Sequence, residues 1–173
     1  MSRITLLRLE REEKELMENT IDNILVSRVS TFEFHFCFFG MEEPYTGGVY
    51  HGVLILSENY PFEPPNIKML TPSGRFQVDA PICTSFTAFH KESWSMVWTI
   101  KTLLLGFYSF MLEKHPGIGS IYELPTPQIK KLASESLSFN MKNPIFMEKF
   151  YDKLEQIKAD KKPKKESARK KSE

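Results

Sequence analysis

The stretch TPSGRFQVDAPICTSFTAFHKESW, Thr71 to Trp94, holds the side chains best suited to covalent chemistry in this chain of 173 residues. Cys83 is a lone thiol in a segment that Pro72, Gly74 and Pro81 keep out of any regular element. Only the thiolate attacks, and an ordinary cysteine, with a pKa of about 8.5, is a few per cent ionised near neutrality. That fraction suffices for exchange between thiols of similar basicity. A strongly activated thiolate would make an acyl product wasteful, because water or small thiols would discharge it. A nucleophile with no adjacent base in the sequence therefore suits a carrier better than a hydrolase. His90 lies in the same loop, as a candidate proton shuttle or as a loop-packing side chain. A hydrolase built on Cys83 and His90 lacks an evident Asn or Asp orienter.

Other chemistries find less support. His35, His51, His90 and His115 show no metal-ligand spacing, and Cys37 and Cys83 form no Cys-x-x-Cys pair. No cofactor or metal is expected. Such cysteine usage suits a reducing compartment. Apolar residues at 41% and aromatics at 13% allow one domain with a sizeable core. From Lys158 to Glu173 there are eight Lys/Arg against three Asp/Glu, leaving a mildly acidic body with 15 basic and 19 acidic side chains. Residues 1–158 read as the folded domain, and residues 159–173 as a basic, disordered tail. The N-terminus becomes charged too early for a signal peptide. The longest apolar stretch, Leu103 to Leu112, is too short for a bilayer, which needs about 20 residues, and reads as a buried helix.

These residues need a scaffold. Residues 3–18 read as an amphipathic helix, with Leu6, Leu9, Leu16 and Met17 on one face and Arg8, Arg11, Glu12 and Lys14 elsewhere. Asn23 to Val29 predicts a first strand. In TFEFHFCFFG, Phe32, Phe34, Phe36 and Phe38 alternate with Glu33, His35 and Cys37, a second strand with two distinct faces. Val49 to Leu56 and Asn66 to Leu70 complete a meander. A helix from Thr99 to Leu112 follows, then one capped by Thr126 ahead of Pro127, then one from Ile145 to about Lys158 after Asn143-Pro144. One helix, a run of strands, then helices make an α+β pattern.

Three segments in this order, YPFEPP (Tyr60 to Pro65), GRF…ICTS leading to a single cysteine, and SWSMVWTIKTLLLGF, resemble the ubiquitin-conjugating enzyme family across nearly the whole body of the chain. TPSGRF, with Cys83 ten positions after Ser73 and eleven before Trp94, is similar to the membrane-anchored branch that serves endoplasmic-reticulum quality control. Gly119-Ser120-Ile121 and LASESLSFNMKNPIF resemble that branch too. Two features depart from it. Ser73 stands where the family's motif has asparagine, and the chain stops in a lysine-rich tail where the branch has a transmembrane helix.

The resemblance implies that Cys83 takes ubiquitin as a thioester from an activating enzyme, which spends the ATP, and surrenders it to an acceptor. Ser73, at the position credited with supporting the oxyanion or holding the loop, would substitute in part or serve only as a turn residue before Gly74. Ser120 is a candidate gate residue, or a cap of the following turn. Ligases of the RING type would grip Arg8, Arg11, Phe62 and Met96, where Met96-Val97 replaces the Pro-Ala of many relatives. Ubiquitin, activating enzyme, ligase and protein substrate are thus the implied partners, with no nucleic acid. Membrane contact is expected only through a C-terminal segment beyond residue 173, which would place the protein at the cytosolic face of the endoplasmic reticulum. The chain as it stands is expected to be soluble and cytoplasmic. A scaffold of the same fold that binds ubiquitin or ligases without catalysis is the rival reading, kept open by Ser73.

Overall fold

The computed structural model describes residues 2–83, 92–113 and 124–161. Helix α1 (Arg3–Glu18) leads into β1 (Ile24–Ser30), β2 (Glu33–Phe38), β3 (Tyr50–Ile55) and β4 (Asn66–Met69), an antiparallel sheet in sequential order. Helix α2 (Ile100–Leu112) follows, then α3 (Thr126–Asn140), α4 (Pro144–Phe146), a π-helical stretch (Met147–Tyr151) and α5 (Asp152–Lys161). The architecture is the expected α+β meander with flanking helices. Local chemistry sets the starts. The Ser2 hydroxyl accepts the Thr5 amide at 3.1 Å, Thr99 and Thr102 form a reciprocal capping box on α2, and the Asn143 side chain accepts the amides of Ile145 and Phe146.

Two expectations are corrected. α3 begins at Thr126 rather than after it, because the Pro125 carbonyl already accepts the Gln128 amide at 2.9 Å, and no side chain caps this helix. On α1 the buried stripe is Thr5, Leu9 and Glu12, whereas Met17 is 78% exposed and Leu6 lies at the surface. Leu9 belongs to both readings of the helix; the stripe through it runs at i−4 and i+3, and a polar residue occupies each end.

β2 is buried on both faces. Phe34, Phe36 and Phe38 point into the main core, where Phe38 lies 5.8 Å and Phe36 6.0 Å from the Phe107 ring of α2. Cys37 points the other way, into a second cluster with Val49, Phe146, Phe150 and Leu154. The helices after Asn143 thus close the face that alternation alone leaves polar. Gly52, paired with Phe36 across the β2–β3 ladder, has no room for a side chain: an added Cβ would sit 2.3 Å from the Phe36 ring.

Candidate active site

The chain reaches Cys83 along β4. Val78 and Pro81 bridge to Met69 and Lys68, the Asp79 amide bonds the Met69 carbonyl at 2.8 Å, and the Ile82 amide bonds the Ile67 carbonyl at 3.0 Å. Ile82 is 1% exposed, so the side chain before the thiol is locked in the core. Cys83 itself is half-buried. Its thiol is raised above the ordinary value, first by partial burial and then by the nearby Glu92 carboxylate, both of which disfavour the thiolate. Neither influence activates the sulfur.

The TPSGRF turn is held from inside. Ser73 is fully buried, and its hydroxyl oxygen accepts the amides of Arg75 at 3.1 Å and Phe76 at 3.4 Å. That is a serine turn, the local geometry that one of the two expected roles for Ser73 calls for. Gly74 adopts φ 75°, and a Cβ there would meet Leu124 and Ile129 at 3.0 and 3.1 Å. Arg75 lies over the rings of Phe76 and Phe110, at 4.6 and 5.1 Å, and Phe76 packs 5.3 Å from Phe107. His90 and Ser120, like His115, lie outside the described residues.

A second surface is built around α1. Phe62 and Met96 are each 55% exposed and Val97 is 79% exposed. Trp94 ties their loops together, donating its indole N–H to the Pro61 carbonyl at 2.7 Å. Arg11 is exposed. Arg8 is not a bare surface charge: its guanidinium donates to the carbonyls of Met96 at 2.9 Å and Trp98 at 2.7 Å, and pairs with Glu12. Glu12, 2% exposed, also accepts the Tyr60 hydroxyl at 2.8 Å and the Ile100 amide at 2.6 Å. One carboxylate thereby joins α1, the Tyr60 loop and the N-terminus of α2, where a negative charge is favoured.

Sequence reading missed three features here. Glu12 was traceable, since it falls three residues after Leu9 on the same stripe. Glu92 was not traceable without the fold. Nor was the polar seam on α3, where the Asn140 side chain meets Thr71 and Val49 from 69 and 91 residues away. Among the described residues no group of His, Cys, Asp and Glu is arranged to hold a metal.

A half-exposed cysteine thus ends a segment paired to the outer strand of a four-stranded meander. The family model for ubiquitin-conjugating enzymes matches residues 8–122, and the chain belongs to that family. Among curated proteins it is 46% identical over 127 residues to ubiquitin-conjugating enzyme E2 J2 of Mus musculus, covering 73% of this chain and 49% of the mouse protein. It is 45% identical over 147 residues to an E2 J2-like enzyme of Dictyostelium discoideum, covering 83% and 85% of the two chains. The chain thus spans about half the length of the mouse relative and most of the Dictyostelium one. A crystal structure of a ubiquitin-conjugating enzyme from Plasmodium yoelii, described as putative, superposes with a TM-score of 0.63 at 25% identity, over 80% of this chain and 96% of that one.

Proposed function

We propose that this chain carries ubiquitin as a thioester on Cys83 and passes it on, with a RING-type ligase, to a protein substrate. In charging, the Cys83 sulfur attacks the thioester carbonyl held by the activating enzyme. A C–S bond forms to Cys83, and the activating enzyme's sulfur departs and takes up a proton. In discharge, an acceptor nitrogen or oxygen attacks the same carbonyl, its bond to carbon forms, and Cys83 leaves as thiolate and is reprotonated. Partial burial and Glu92 both favour the thiol over the thiolate, which makes Cys83 a somewhat poorer leaving group in the second step.

One observation carries this reading: the thiol is accessible while the residue before it is locked. A bulky acyl group can board without disturbing the core. Ser73 acts by holding the turn. Phe62 and Met96 supply the contact for the ligase, and Arg8, with Arg11 beside it, sets the helix side of that patch. The motif resemblance supports His90 as a proton shuttle and Ser120 as a gate. It also supports residues 1–158 as the catalytic domain and a place of action at the cytosolic face of the endoplasmic reticulum. Among the described residues no helix is long and apolar enough to cross a membrane.

The test is to mix the protein with activating enzyme, ATP and ubiquitin and to look for an adduct that a reductant removes. Its appearance, and its loss in Cys83→Ser, supports the carrier. No adduct under conditions that charge a reference enzyme would make the chain a scaffold of the same fold.

A further inference from the structure

The seam between α3 and the TPSGRF turn is polar at one end and apolar at the other. Thr71, the first residue of the turn, is fully buried; its hydroxyl accepts the His51 amide at 2.8 Å and donates to the Asn140 side-chain oxygen. The Asn140 amide donates to the Val49 carbonyl at 2.8 Å, and Ser136, one helical turn earlier, accepts the Val49 amide at 2.9 Å. Asn140 and Ser136 are 1% and 2% exposed. Three residues beyond Thr71, Gly74 lies against Leu124 and Ile129. α3 therefore grips the turn on both sides of Ser73. From that turn the chain runs through Phe76 and the β4 pairings to Cys83.

We propose that Asn140 is a positioning residue for thioester discharge, acting through the Thr71 hydroxyl. The inference rests on the carrier role of Cys83 proposed above. Asn140 touches no reacting atom. It fixes where the turn begins, and so the start of the backbone path that leads to Cys83 and sets where the acyl group sits when an amine attacks. A helix residue is a stiffer reference than another loop. The Asn140 oxygen is held in place because the same amide group is anchored to Val49, the residue just before β3. Charging is exchange between two sulfurs on the activating enzyme's own surface and demands less of this turn. Discharge to an amine develops oxyanion charge with this chain's loop alone to receive it, so a displaced turn penalises the second step.

The experiment compares Thr71→Val, Thr71→Ser, Asn140→Ala and the double variant Thr71→Val/Asn140→Ala in the whole chain. Cys83 is charged with ubiquitin, the activating enzyme is stopped with EDTA, and decay of the thioester is followed with hydroxylamine as the acceptor. All measurements are made well below each variant's melting temperature. Thr71→Val and Asn140→Ala are expected to charge within about threefold of the parent but to discharge about tenfold or more slowly. Thr71→Ser should discharge like the parent, and the double variant should be no slower than either single one. Discharge at the parent rate in Thr71→Val and Asn140→Ala overturns the proposal. So does an equal fall in charging and discharge, which is the mark of general structural damage. A parent that forms no reductant-sensitive adduct sinks the carrier reading itself, a result distinct from either.

Discussion

Cys37 and Cys83 are the same functional group set in opposite surroundings. Cys37 stands in the middle of β2 with no exposure, facing Phe146, Phe150 and Leu154, and burial drives its thiol far above the ordinary value. Cys83 ends a segment paired to the outer strand, half-exposed, and its thiol is raised only by partial burial and Glu92. Both environments disfavour the thiolate, that of Cys37 far more strongly, and neither activates its sulfur. Exposure separates the two in the same direction. The difference extends to the neighbours. Around Cys37 the polar groups are closed on themselves: the Glu33 carboxylate meets His35 Nε2 at 2.6 Å, and His35 Nδ1 meets His51 Nε2 at 2.7 Å. The carboxylate and the facing ring nitrogens thus satisfy one another, in donor and acceptor roles set by the imidazole tautomers. Ahead of Cys83 the described polar contacts, the Ser73 turn and the Asp79 and Ile82 amides, hold the backbone in place.

The largest test of this contrast is substitution. Cys83→Ser removes the reductant-sensitive ubiquitin adduct altogether, whereas Cys37→Ser charges as the parent does, read on gels with and without reductant. Next is alkylation of the native protein by iodoacetamide, followed by mass spectrometry. Cys83 reacts at a rate that climbs through neutral pH with no plateau below the ordinary value. Cys37 reacts only after local opening, and an opening cost of about 4 kcal/mol slows it about a thousandfold. Comparable rates at the two sites would erase the distinction.

A smaller effect appears in acid. His51 is held down to about 3, first by burial and then by the charge of His35. Below an unfolded-state pKa of about 6.5 the unfolded chain binds a proton that the folded chain refuses until far lower pH. The fold thus loses up to about 1.4 kcal/mol per pH unit at this one site as pH falls from there. His51→Gln should flatten the fall in urea midpoint between pH 6 and pH 5, and an unchanged slope would assign the acid sensitivity elsewhere. The smallest effect is at the open site. Glu92→Gln removes one exposed negative charge and should speed Cys83 alkylation at neutral pH by about twofold, the scale of a screened surface interaction. A slower reaction would contradict the sign.

What was legible in the sequence is what depends on neighbours in the chain. The meander, the apolar helix near Thr99 and the helix start at Asn143-Pro144 follow from local patterns. The alternation in TFEFHFCFFG correctly separates the phenylalanine face from the Cys37 face. It is silent on what covers the second face, because Phe146 and Phe150 arrive from more than a hundred residues away. The same limit applies to Ser73. Its residue type fits a donor and a turn former equally well, and only the fold shows that the Arg75 and Phe76 amides meet its hydroxyl oxygen. Arg8 and Arg11 are alike on paper. In the fold, one is engaged with two loop carbonyls and a buried carboxylate while the other faces solvent.

That engagement has a consequence for how such an enzyme diversifies. Arg8 recognises the Met96 and Trp98 positions by main-chain oxygens, which every residue possesses. The contour of the loop is therefore independent of the side chains it displays, and substitutions at 96 and 97 can change the exposed surface without asking the helix to adapt.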